Sequence, residues 1–232
     1  SSDLMNLYRV SILSVVLAIS GMVGVVGAAE QSVAELVASS PGQTFEQDKA
    51  LCETLLKQGP GAIRALCDAV QPSGDDGRVR TVLMDLAVTV GKGAPQQREM
   101  FSKTICEALN CNSDKEIKAL CIQLLQYAGG DEAVPELAGY LNDARLSSPA
   151  ATALTQIGTA AACNALLESL ARQDTVAKTD VILGLGSLRV QKASGVIAAL
   201  LDNQPLHESA RWALANIGDE AAAGPIVSDW KK

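Results

Sequence analysis

The feature that most constrains this chain is a repeat between Asp131 and Gly218. Three segments lie over one another: Ala153-Leu154-Thr155-Gln156-Ile157-Gly158, Val181-Ile182-Leu183-Gly184-Leu185-Gly186 and Ala213-Leu214-Ala215-Asn216-Ile217-Gly218. Their closing glycines are 186 − 158 = 28 and 218 − 186 = 32 residues apart. A fourth copy ends at Gly129-Gly130 after Leu124-Leu125. The junction recurs too, since Gly130-Asp131-Glu132-Ala133 returns as Gly218-Asp219-Glu220-Ala221, each with a proline shortly after (Pro135, Pro225). A period of about 30 residues marks a solenoid, in which no unit buries its apolar face alone and stacked neighbours do it together.

The rest of the chain reads as helices punctuated by glycine and proline. Expected helices are Ser32–Ser39, Phe45–Gln58, Ala62–Val70 opened by Pro60, Arg78–Val90, Pro95 to about Leu109, and Ile117–Ala128. Ser113, three residues before Glu116, reads as a capping box. Beyond residue 130 the pairs tighten: Ala133–Leu141 with Pro149–Ile157, Ala161–Leu170 with Ala177–Leu185, and Ala193–Leu201 with Leu206–Ile217. The closing glycines are read as left-handed helix stops, which favour a residue without a Cβ. The last residues, Pro225 to Lys232, form half a unit. Either it caps the stack with Trp230 over its end, or further sequence follows. With 48% hydrophobic residues but only 3% aromatics, burial falls to Ala, Leu and Val. A net charge of −7 argues against nucleic acid and against an anionic membrane surface.

Residues 1–29 carry the pattern of an export signal. Arg9 precedes an uncharged run from Val10, which ends in the small residues Gly27-Ala28-Ala29. A cleaved signal is the expectation. A retained N-terminal anchor is the alternative, and membrane contact is expected only through that segment. Residues 30–130 are read as irregular helical repeats, and 131–232 as regular ones continuing the same stack.

The pattern in Ala213–Ala221 and the junction Gly129–Leu141 resemble HEAT repeats of the short, phycobilin-lyase-like type, in an exported bacterial form. The resemblance covers about 131–227 well and 32–128 more loosely. It implies an all-α fold, a right-handed superhelix of about six helical hairpins. It also implies a non-catalytic scaffold that binds a protein partner on a concave face lined by the second helix of each pair. Many such repeats place an arginine early in that helix. Only Arg211 does so here, with Ala151 and Thr179 at the matching positions, so no arginine ladder is expected.

Catalytic constellations are scarce. The single histidine, His207, opens a helix two residues before Ser209, a spacing that does not let the two face each other. It reads as an exposed first-turn residue. Asp75-Asp76 and Asp131-Glu132 sit at helix starts, where acids complement the helix dipole. No glycine-rich stretch matches a phosphate loop, and no cofactor or metal is expected. The six cysteines lack a Cys-x-x-Cys spacing. In an exported protein Cys52 with Cys67, and Cys106 with Cys121, are candidate disulfides, with Cys111 an alternative to either partner of the second pair. Arg211 and Trp212, types that anchor interfaces, are the candidate partner-binding residues, although Trp212 also suits the groove between repeats. Tyr127 and Tyr140 follow them. The expected function is an exported protein-interaction scaffold. Its rival is an accessory N-terminal region of a larger secreted enzyme. A chromophore lyase is disfavoured by the paucity of histidine and aromatics.

Overall fold

A computed structural model describes residues 32–42, 44–72, 74, 76–172 and 176–229. The expected signal in residues 1–29 and the expected cap at Trp230 lie outside them. Among the described residues there are thirteen α-helices and no strand. The first six are α1 (Val33–Ala38), α2 (Phe45–Gln58), α3 (Pro60–Asp68), α4 (Gly77–Gly91), α5 (Pro95–Cys111) and α6 (Lys115–Ala128). The next four are α7 (Val134–Gly139), α8 (Ser147–Ile157), α9 (Ala160–Ala171) and α10 (Lys178–Ser187). Last come α11 (Ser194–Ala198), α12 (His207–Ile217) and α13 (Glu220–Asp229). Short 3₁₀ turns at Asp131–Ala133, Tyr140–Asn142 and Gln191–Ala193 flank α7 and precede α11.

Local chemistry explains most boundaries. Ser32 and Thr44 form capping boxes with Glu35 and Gln47, and Pro60 and Pro95 occupy first-turn positions where a missing N–H costs nothing. The box expected at Ser113 does not form. Asp114 is the N-cap instead, its carboxylate accepting from the Glu116 and Ile117 amides at 2.8 and 3.1 Å. A carboxylate accepts such bonds more strongly than a hydroxyl, and it complements the helix dipole.

The helices stack in two layers. In one, α2, α4, α6, α8, α10 and α12 each pack on the next; in the other, α3 packs on α5, α5 on the Asp131–Ala133 turn, α7 on α9, and α11 on α13. Contacts pass without interruption across residue 130. The core between the layers is aliphatic, with Phe101 the only fully buried aromatic among the described residues and Leu55, Ile63, Leu86, Leu109, Leu125, Leu137, Leu154 and Leu214 wholly enclosed. Each is a side chain that one helix could not bury alone.

The recurring junction residues have a structural role. The Thr159 hydroxyl, at the start of α9, donates to Asp131 at the start of α7; Ser194 Oγ, at the start of α11, donates to Asp219 at 3.0 Å, and Asp219 accepts the Ala222 amide at 2.8 Å. Successive helices of one layer are thus tied at their N-terminal ends. Arg98 on α5 donates to the Ala128 and Gly129 carbonyls, satisfying acceptors left open at the end of α6.

The glycines divide into two groups. Gly158 (φ 62°) and Gly218 (φ 66°) adopt the expected left-handed cap. Gly186 does not: it lies inside α10, and the left-handed residue there is Arg189 (φ 53°). A Cβ on Gly186 would lie 2.6 Å from Ala213 Cα, and one on Gly184 would lie 2.3 Å from Thr155 Oγ1. These two glycines let α10 lie close against α12 and α8. Gly91 is also helical and Gly129 has an ordinary negative φ, so neither is a left-handed stop.

Candidate functional site

The layer of α2, α4, α6, α8, α10 and α12 buries one side against its partner layer and leaves the other side open. Four large non-polar side chains stand out on that layer: Phe45 at the start of α2, Val88 on α4, Tyr127 on α6 and Trp212 on α12. Trp212 is 45% exposed, while the edge of its ring, at Cζ3, closes over Gly186 on α10. It therefore partly fills an inter-helix groove and leaves a little under half of its surface to solvent. Tyr127 is 48% exposed. Tyr140 is less available, because Lys118 Nζ donates to its hydroxyl at 3.1 Å.

Arg211 is placed differently from the expectation of a free interface anchor. It lies between Glu208 (Nη1 to Oε1, 3.4 Å) and Asp229 (Nε to Oδ2, 3.5 Å). His207 joins the same cluster, its Nε2 3.0 Å from Asp229 Oδ2 and its Nδ1 3.2 Å from Glu208 Oε1. The expectation of a simply exposed histidine is corrected: the imidazole is three-quarters covered and bridges α12 to the end of α13. The sequence hid this because Asp229 is 22 residues away and meets His207 only when α13 folds back. The arrangement offers no nucleophile. Ser209 is buried and donates to the Leu206 carbonyl at 2.8 Å, away from the imidazole.

Of the paired acids, Asp75 lies outside the described residues. Asp76 is buried: burial pushes its carboxyl up, but the Arg80 guanidinium (2.6 Å) and the Gln71 amide (2.7 Å) outweigh this and hold it below the usual range. Asp85 on α4 goes the other way, raised by burial and by the nearby Asp48 carboxylate. No group of three or more His, Cys, Asp or Glu side chains among the described residues could hold a metal ion, and no described helix is long and apolar enough to cross a membrane.

All six cysteines are free thiols in the structure, so neither expected pair is bonded there. Burial pushes Cys52 and Cys121 up to about 11, and Cys67 and Cys106 up to about 12. Cys52 sits against Thr89, whereas Cys67 and Cys106 each lie near enough to Cys121 to feel its charge. Cys111 is exposed, beside Arg64.

Stacked helical hairpins, tied at their N-terminal junctions and built on an aliphatic core, define an all-α solenoid. Residues 102–186 match the family model of HEAT repeats, from within α5 to the end of α10. The chain is thus a helical solenoid whose central segment is similar to HEAT repeats. The match takes in residues 102–130, which the sequence pattern placed among the loose repeats, and stops short of the clean copy at Ala213–Ala221. No curated protein matches the chain.

Proposed function

We propose that this protein is a non-catalytic scaffold that binds a protein partner on the open side of the α2–α12 layer. The observation that carries the reading is Trp212: a large aromatic, 45% exposed, with the edge of its ring seated over Gly186. A pre-positioned indole loses little freedom on binding and covers much apolar area, which is why this residue type dominates interface energetics. HEAT repeats commonly serve as such scaffolds, and the His207 cluster lacks a nucleophile, which fits the reading. Arg211 is the weaker anchor, because Glu208 and Asp229 already engage it. Export is proposed as well, on the pattern of residues 1–29, and with it an exported, bacterial type of repeat protein.

The test is capture of partners from an envelope extract by the purified protein, run beside Trp212→Ala and Tyr127→Ala variants of matched thermal stability. A partner retained by the parent and lost by Trp212→Ala supports the reading. A partner held equally by both variants places the site elsewhere, and no captured partner removes the scaffold reading.

A further inference from the structure

The last described helix, α13, is held by little apolar packing. Ala222 is its one buried residue among those described, with Ile226 partly buried against the core. Pro225 inside it removes one intrahelical hydrogen bond, and Gly224 beside it is a poor helix former. Polar ties at its two ends therefore decide how firmly it sits. One end is fixed by Asp219, which accepts from Ser194 Oγ and from the Ala222 amide. The other end is Asp229, whose side chain is only 9% exposed. A carboxylate at a helix C-terminus opposes the dipole, so it gains from a cation beside it. Arg211 stands at ion-pair distance, 3.5 Å, but its Nε makes no hydrogen bond. The group in hydrogen-bonding reach is His207, whose Nε2 lies 3.0 Å from Asp229 Oδ2 and 3.2 Å from Oδ1. Its Nδ1 meets a second carboxylate, Glu208, at 3.2 Å.

An imidazole facing a carboxylate at each nitrogen donates to both only when protonated. The neutral ring has one N–H and turns a lone pair toward the other acid. We infer that His207 and Asp229 form a pH-sensitive latch, which holds the end of α13 on α12 while the imidazole is protonated and loosens as the pH rises. The contacts are those of the charged ring, so the stabilisation is full at acid pH and falls away as the proton leaves. Histidine is the side chain whose charge ordinarily changes between about pH 5 and 8, and this chain has 1. The surrounding charges keep this sign. The first turn of α12 disfavours a cation through its dipole, and Glu208 in that turn offsets the effect. The helix α11 carries no ionisable side chain, and among the described residues neither Lys178 nor Asp180 on α10 pairs with the ring. Asp202, in the loop before α12, adds negative charge. Asp219 and Glu220 lie at the opposite end of the α12–α13 pair, about 15 Å of helix away. The latch goes beyond the scaffold reading and does not depend on it.

The test is hydrogen exchange of the purified protein at pH 6 and pH 8, with protection factors taken for each helix so that the intrinsic pH dependence of exchange cancels. A charge-assisted hydrogen bond from a partly exposed ring supports a change of about fivefold in local opening. Protection in α13 is expected to fall by that factor from pH 6 to pH 8, while α4 stays unchanged as the internal reference. His207→Gln retains an amide donor but cannot titrate, so its α13 should show the same protection at both pH values. Asp229→Asn should lose most of the dependence as well. Equal protection of α13 at the two pH values in the parent overturns the latch. So does a dependence that persists in His207→Gln, or a fall of equal size in α4.

Discussion

Gly186→Ala is expected to destabilise the protein although alanine is the better helix former. Gly186 lies within α10, so replacing it should by propensity stabilise the helix by about 1 kcal/mol. The new Cβ, however, would lie 2.6 Å from Ala213 Cα and 2.8 Å from Ala213 Cβ, where ordinary carbon contacts are about 3.5–4.0 Å. The obstacle is backbone, so relief requires α10 and α12 to separate by about an ångström, an overpacking cost of about 1–3 kcal/mol. The location amplifies the effect. The last three helices, α11 to α13, pack chiefly on one another, and the α10–α12 seam is their main attachment to the rest of the stack.

The net expectation is a loss of up to about 2 kcal/mol, or a fall of about 4–8 °C in Tm at about 2–4 °C per kcal/mol for a chain of this size. Gly195→Ala is the matched control: Gly195 is also helical, and a Cβ there meets nothing within 4 Å. It should be neutral or stabilising by up to about 1 kcal/mol. Gly184→Ala should fall between them, because its 2.3 Å neighbour is the Thr155 hydroxyl, a side chain that can turn away. Urea unfolding followed by far-UV circular dichroism ranks the three, and hydrogen exchange locates the loss. A solenoid can open from one end, so Gly186→Ala should raise exchange in α11–α13 first. A Gly186→Ala protein as stable as Gly195→Ala would refute the close-approach argument.

Other expectations follow from single sites. Arg189 is a non-glycine residue in the left-handed region, so Arg189→Gly should stabilise by up to about 1 kcal/mol, read as a higher urea midpoint at unchanged slope. Asp219→Ala removes the acceptor for both Ser194 Oγ and the Ala222 amide and should cost about 1–3 kcal/mol, with exchange rising at the start of α13. The folded pKa of Asp76 is depressed, so its contribution is present above the unfolded carboxylate value and disappears as pH falls through the folded one; that of Asp85 is raised, so ionising it at neutral pH opposes folding. Asp76→Asn should therefore destabilise at pH 7 and Asp85→Asn should stabilise, with both differences shrinking in acid unfolding series. Against an aromatic disulfide reagent at pH 8, Cys111 should react at once, while Cys52, Cys67, Cys106 and Cys121, buried and raised to about 11–12, should react only on unfolding.

Helix existence and most boundaries were legible because they depend on neighbours a few residues apart. The limits of α2 and the opening of α3 at Pro60 follow from Thr44, Gly59 and Pro60, and the left-handed caps at Gly158 and Gly218 from the glycine that ends each run. The repeat itself announced a stack, because apolar faces of short helices need neighbours. What the stack does with individual residues was a tertiary matter. Gly186 resembles Gly158 in its local sequence, but it is needed for the approach of α12. His207 looks like a solvated first-turn residue until α13 brings Asp229 to it. Cys67 and Cys121, 121 − 67 = 54 residues apart in sequence, lie near enough in the stack to interact electrostatically. Arg80, Lys115 and Arg145 line one groove although 145 − 80 = 65 residues of sequence separate the first from the last. Backbone caps are fixed by local sterics and local hydrogen bonds. Close approaches and charge clusters are fixed by the register of one hairpin against the next, which no single segment encodes.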